Sequence, residues 1–307
     1  MDELKKDLDT SRRFEMMTYL DSMRAMYESA VKQNGELFDI ATELTTGFSR
    51  IEAEAVITDS RIIKILRYCV APSISQMKFG QFFGLSSITA LEKDRVVRGI
   101  KVAQLKKIAK PIADFVNANL DKSRFLWLER ELQGESLSVA QDYAKKWTCS
   151  LIADQNAQTE YRNWRKTLQE AKIDAFLVES GYSRSTYTGV VRNQTDIKLG
   201  QFSHERKVHG RTDQKADLVI RTRNTGRIVL IEAKAVGVKV DAFKRVKECC
   251  DKSRDWCQNE ALGDVDVVAV IGGFFASTNI EALEAAGVTV IWEHRLSDLA
   301  SHLQEVS

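Results

Sequence analysis

The stretch KADLVIRTRNTGRIVLIEAKAVGVKV, residues 215–240, decides the fold. It holds two apolar runs of strand length on either side of Asn224-Thr225-Gly226, which is turn chemistry. Each run carries charge where a buried strand has none: Asp217 in the first, Glu232 and Lys234 in the second. With Arg223 and Gly226 closing the turn around Asn224 and Thr225, antiparallel pairing counts outward. Residue 222 then faces 227, 220 faces 229, and Asp217 faces Glu232 with Cβ atoms about 5 Å apart. Side chains alternate along a strand, so Lys234 shares the face of Glu232.

Two carboxylates that close repel each other, and the repulsion disappears when a divalent cation sits between them. Oxygen ligands from Asp and Glu, completed by water and phosphate, suit Mg²⁺. Such an ion orients and acidifies a water and neutralises charge at a scissile phosphate. Lys234 is placed to contact that water or a phosphate oxygen. The constellation suits phosphodiester hydrolysis without a covalent intermediate, with Asp217 and Glu232 as metal ligands. The bland alternative is an edge hairpin with surface charges. Against it, VLIEAKAV is apolar on both sides of its charges, as in a central strand, and charges there need partners.

Outward from the hairpin, the second half of the chain mixes strands and helices. TEYRNWRKTLQEAKIDAFLVESGY reads as a helix ending near Gly181. Strand-like runs YTGVV and IKLGQF precede the hairpin. The helix DAFKRVKECCDKSRDWCQN follows it, then the strand VDVVAVIGGFF, the helix TNIEALEAAG, the strand VTVIWEH and the helix LSDLASHLQ. This order predicts an α/β (α+β) protein: a mixed sheet flanked by helices. The first half reads as helix throughout, with Gly35 as the stop of the first one. The expected organisation is a helical domain over 1–150, for DNA binding, dimerisation or both, and a catalytic domain over 151–307.

Composition agrees with a globular chain: 307 residues, 44% apolar and 29% charged. No run reaches the roughly 18 apolar residues that a membrane helix needs. The charged start MDELKKDLDTSRR is not a secretory signal. Five cysteines without C-x-x-C spacing point to reduced thiols in the cytoplasm rather than disulfides or a zinc site. The net charge of +2 is uneven. Residues 61–110 carry eleven Lys or Arg against two acids, and residues 192–254 sixteen against eight, so two basic blocks are candidate polyanion surfaces.

The pattern ADLVI…IEAK resembles the signature of the PD-(D/E)XK nucleases, with Ala216-Asp217 in the Pro-Asp place and Glu232-Ala233-Lys234 as the E-x-K. Fourteen residues separate Asp217 from Glu232, a usual hairpin length for that superfamily. RYCVAPSISQ, DAFKRVKECCDKSRDW and GVTVIWEHRLSDL extend the likeness to the XamI-like type II restriction endonucleases. The resemblance implies a restriction-endonuclease-like core and Mg²⁺-dependent, sequence-specific cutting of double-stranded DNA. It also implies a homodimer and a cognate DNA methyltransferase as genetic partner. The helix after the E-x-K lies beside the active site in that superfamily, so Lys244, Arg245, Lys247 and Arg254 are candidate DNA contacts; Lys252 lies on the same helix. Glu170, on the helix before the sheet, is a candidate for an extra active-site carboxylate, with Glu160 and Glu179 as competitors.

Residues 73–97 hold Gln76, Gly84 and Ser86 at positions reminiscent of a helix-turn-helix, and ordinary helix-hairpin packing accounts for them equally. His204 and His209 lack partners for a zinc site, and His294 at a strand end reads as structural. No G-x-x-x-x-G-K-[ST] occurs, so ATP-driven cutting has no support. Two alternatives stay open: a nuclease of repair, recombination or another defence system on the same core, and a non-catalytic DNA-binding protein. The intact Asp217, Glu232 and Lys234 speak against the second.

Overall fold

The computed structural model describes residues 2–93 and 100–306. They divide into two compact units, residues 23–160 and residues 2–22 with 161–306. Helix α1 (Asp2–Leu44) contributes to both units. It is followed by α2 (Ala53–Thr58), α3 (Ile63–Cys69), α4 (Gln76–Phe82), α5 (Thr89–Lys93), α6 (Ile100–Asn119) and the long α7 (Gly134–Glu179), which also contributes to both.

The expected stop at Gly35 is not there, and α1 runs through it. A glycine inside a helix costs about 1 kcal/mol against alanine, which the packing of a long helix outweighs. The helix ends instead where Thr45 Oγ1 donates back to Ala41 O at 2.6 Å and Thr46, Gly47 and Phe48 take φ of 49°, 65° and 64°. The helical unit packs around Ile62, Ile65, Leu66, Phe79, Leu105, Ile112 and Phe125. Within it, the buried Arg67 Nε donates to Glu92 Oε1 at 2.6 Å and Gln76 Nε2 donates to Glu92 Oε2 at 2.6 Å, which ties α3, α4 and α5 together. Of the helix-turn-helix candidate, α4, the turn at Gly84 (φ 69°) and the five residues of α5 are present, with Ser87 Oγ accepting from Thr89 N at 3.2 Å. Residues 94–97 of that stretch lie outside the described residues.

The second unit is a sheet covered on both faces. Its elements are β1 (Ser183–Arg184), β2 (Gln201–Val208), β3 (Gln214–Arg221), β4 (Ile228–Val236), α8 (Lys239–Trp256), β5 (Val265–Gly273), α9 (Ser277–Ala285), β6 (Val288–Trp292) and α10 (Ser297–Glu305). The strands lie in the order of the chain. β2, β3 and β4 are antiparallel; β5 and β6 continue parallel to β4. This is the mixed, helix-flanked sheet of a restriction-endonuclease-like fold, as the order of apolar runs predicts. The 2-residue alternation of β4 sorts its side chains: Ile228 and Leu230 join α8 and α9 on one face, while Val229 and Ile231 join the end of α7 and α10 on the other.

One strand falls elsewhere than expected. YTGVV forms only a single bridge, Val191 to Val208, and the strand predicted over 197–202 starts at Gln201 and runs on to Val208. QFSHERKV is too polar to announce itself, because its outer half is only partly covered. Residues 2–22 also differ: the sequence pattern puts them with the helical half, whereas Leu4 and Leu8 pack against the core of the sheet unit. Glu15 anchors this segment. Arg165 Nε donates to Glu15 Oε2 at 2.8 Å, and its two terminal nitrogens donate to Glu293 at 3.1 and 2.6 Å, all three groups being buried.

Each of the four histidines bonds an aspartate: His204 with Asp174, His209 with Asp213, His294 with Asp7 and His302 with Asp266. For His302 the hydrogen bond to Asp266 is the largest influence, burial opposes it, and the net pKa lies above 6.5. A raised folded-state value means that the contribution to stability is whole below the unfolded pKa and is lost as pH rises through the folded one. Urea unfolding is therefore expected to show stability declining from about pH 6.5 upward, with a shallower decline in His302→Gln. Equal slopes for the two proteins would contradict this.

Candidate active site

The register of the central hairpin is the one counted from its turn. Thr222 N donates to Arg227 O at 2.9 Å, and Ile220 pairs with Val229 and Leu218 with Ile231. Gly226 has φ 72°, and a Cβ there would lie 3.1 Å from Leu199 and 3.2 Å from Arg221, so the turn needs glycine. The next pair outward is Asp217 and Glu232, and there the ladder stops. β3 leaves β4, and the Ala233 N–H donates at 2.9 Å to Asp217 Oδ2, a side-chain oxygen in the place of a backbone one. On the other side of β3, Glu205 of β2 takes φ 51°. The sheet is distorted on both sides of Asp217, which frees its carboxylate to turn toward β4.

Lys234 Nζ donates to Asp217 Oδ2 at 3.3 Å and to Glu232 Oε2 at 2.6 Å, so the two carboxylates and the ammonium share one face and meet at one point. Glu232 is fully buried and Asp217 nearly so. Burial pushes the Asp217 carboxyl upward, but Lys234, the Ala233 N–H, Lys166 and Lys252 outweigh it and hold it below the ordinary carboxylate value. Burial likewise lowers the Lys234 ammonium, and Glu232 and Asp217 more than restore it, so that it stays charged. Beneath them burial, then the charge of Glu232, pushes the Cys249 thiol up to about 12, which keeps it protonated.

More groups meet here than sequence reasoning picked out. From α8, Lys252 Nζ donates to Glu232 Oε1 and Oε2 at 2.8 and 2.9 Å. From α7, Lys166 Nζ lies 3.2 Å from Glu170 Oε1, 3.5 Å from Glu205 Oε1 and 3.7 Å from Asp217 Oδ1. Glu170 therefore joins the cluster through Lys166. Lys215 reaches Glu205 at 2.8 Å. Lys244, Arg245, Lys247 and Arg254 stand outside the cluster on the exposed side of α8. Lys244 and Arg245 lie 3.9 and 3.0 Å from Glu248, and Arg254 lies 3.2 Å from Asp251.

The spacing of Lys252 was the readable signal. It falls three residues after the buried Cys249 and four before the buried Trp256, on the sheet side of α8. Glu205 gave no such signal, because it depends on a local distortion of β2.

No three acidic, histidine or cysteine side chains close on one point among the described residues. A cation here would take Asp217 and Glu232 and complete its shell with water and phosphate oxygens. The donor set fits: two hard carboxylate oxygens already converge on one positive group, the Lys234 ammonium.

A six-stranded mixed sheet flanked by helices, with a long antiparallel hairpin at its centre, is the architecture of the restriction-endonuclease-like fold. The model of the XamI restriction endonuclease family matches residues 46–292, and the chain belongs to that family. It is 23% identical to the type II restriction enzyme SalI of Streptomyces albus G over 304 residues, 95% of each chain. The protein is of the type II restriction endonuclease class, the site-specific deoxyribonucleases. A solved structure, protein VC1899 from Vibrio cholerae, aligns over 92% of this chain and 56% of its own at 11% identity. Its TM-score of 0.28 is too low to bear on the fold.

The Ala233 N–H bond separates two roles of Asp217. Asp217→Ala leaves that buried amide unpaired and is expected to cost about 1–3 kcal/mol in urea unfolding. Asp217→Asn keeps an acceptor and is expected to cost less. Equal losses would show that the amide bond does not hold the two strands together.

Proposed function

We propose that the protein hydrolyses double-stranded DNA at a specific sequence with Mg²⁺ as cofactor, and that Asp217, Glu232 and Lys234 carry the reaction. The observation that supports this most is the meeting of both carboxylates on the Lys234 ammonium. Asp217 and Glu232 hold the cation. When bound, it supplies charge neutralisation at the scissile phosphate and a water acidified toward neutral pH. Lys234 donates to the attacking water or to a non-bridging phosphate oxygen and steadies the negative charge that grows there. Glu170 adds a third carboxylate near the site through Lys166, suited to accept a proton from the water or to hold a second water in place.

Binding falls to groups around this centre. Lys244, Arg245, Lys247 and Arg254 on the exposed side of α8 are the phosphate and base contacts of the sheet domain. The helical domain reads DNA, pairs protomers, or both. Palindromic DNA is matched by two-fold symmetric protein, so the working unit is a homodimer. A cognate DNA methyltransferase protects the host genome. No helix among the described residues is long and apolar enough to cross a membrane. The five cysteines are free thiols, as suits a reducing cytoplasm.

Digestion of a plasmid with Mg²⁺ tests the proposal. Discrete fragments whose ends map to one sequence are expected, with Glu232→Gln and Lys234→Met slower by about a hundredfold or more. A smear without sequence preference, or either variant cutting at the unaltered rate, would overturn it.

A further inference from the structure

A fully buried carboxylate persists only when its oxygens are matched, and Glu232 is matched twice over. Oε2 accepts from Lys234 at 2.6 Å and from Lys252 at 2.9 Å, and Oε1 accepts from Lys252 at 2.8 Å. Lys252 also donates to the Lys215 carbonyl oxygen at 2.6 Å, so its three N–H groups are all engaged. A lysine kept free for phosphate would not be bound this fully. The surrounding charges also balance: Glu170, Glu205, Asp217 and Glu232 face Lys166, Lys215, Lys234 and Lys252, four against four. A divalent ion arriving at Glu232 would meet a site that is already neutral, with an ammonium on the oxygens it needs.

We propose that Lys252 is a built-in counter-ion that occupies Glu232 while no metal is bound, competes with the divalent cation for that carboxylate, and so sets the metal affinity. This rests on the reading of Asp217 and Glu232 as the cation ligands. The geometry selects Lys252 over Lys234 as the group that yields. Lys234 bridges both acids, and its side chain is 13% exposed. Lys252 touches one acid, and its side chain is 22% exposed. Released from Glu232, Lys252 still has the Lys215 carbonyl to hold, so it swings aside without losing its anchor on β3. It is a positioning residue: it acts through Glu232, and its effect is felt in cation binding. The free protein thus keeps a low affinity for metal, and an arriving phosphate, by giving the displaced ammonium a new partner, raises that affinity.

Two measurements on the full chain test this without recourse to cleavage. The first is a titration with Mn²⁺, in the absence of DNA, of the unaltered protein, Lys252→Met and Asp217→Asn. Lys252→Met is expected to bind Mn²⁺ about tenfold or more tightly, because its two charge-assisted hydrogen bonds to Glu232 no longer compete. Its metal-free melting temperature falls, and Asp217→Asn weakens binding. Unchanged or weaker binding by Lys252→Met, with Asp217→Asn still weakening it, would overturn the counter-ion and leave the nuclease site standing. Failure of Asp217→Asn to change Mn²⁺ binding would remove the metal site itself, and the counter-ion with it. The second measurement needs no variant and serves if Lys252→Met does not fold. Acetylation of the unaltered protein, read by mass spectrometry, is expected to be several-fold faster at Lys252 with Mg²⁺ than without, while Lys244 and Lys247 do not change. A Lys252 rate indifferent to Mg²⁺ would overturn the proposal.

Discussion

A carboxylate with no solvent exposure stands on the central strand of the sheet, and its oxygens are matched by groups from two elements of the second unit. Without partners its burial would cost several kcal/mol or more. This carboxylate, Glu232, is held by two ammonium groups from different elements, Lys234 two residues along its own strand and Lys252 from the helix that follows. Asp217 shares the first of these. Replacing such a cluster with apolar residues of similar volume often costs nothing in stability, so it is not what folds the sheet. The hairpin supplies the register, α8 supplies the second cation, and α7 supplies Lys166 on the far side of Asp217.

The frame around the cluster uses charge in a different way. Arg165 is buried between Glu15 and Glu293, and Lys172 adds a contact to Glu293 at 2.9 Å. Here the central group is a cation: Arg165 is shared by two acids, and Lys172 joins it on Glu293 Oε1. This node pins the start of α1 and the end of β6 to α7. The two clusters thus differ in what stands at the centre: an arginine between two acids in this one, a glutamate between two lysines in the other.

The hairpin was legible because three local rules agreed. Apolar alternation marked both strands, Asn224-Thr225-Gly226 marked the turn, and the count from the turn put Asp217 opposite Glu232. What was not legible depended on distance along the chain or on local distortion. Lys166 meets Asp217 across 51 positions of sequence, a contact that no period predicts. β2 hid behind the polar run SHERK, and no residue in that run marks the positive φ at Glu205. Gly35 suggested a helix end by type alone, whereas the true end at Thr45–Phe48 is made by a back-bonded threonine and three left-handed residues. Lys252 sat in plain view among basic neighbours. Only its position between Cys249 and Trp256 separates it from Lys244 and Lys247, which face out.

On the proposed function, β3 and β4 bring Asp217 and Glu232 together to hold one divalent cation at the place of cutting. Anomalous scattering from Mn²⁺ in crystals of the protein with its DNA tests it most directly. A strong peak about 2.1 Å from oxygens of both carboxylates, next to a backbone phosphate, is the predicted result. A complex that cuts DNA in the crystal with Mn²⁺ bound elsewhere, and none between Asp217 and Glu232, would contradict it.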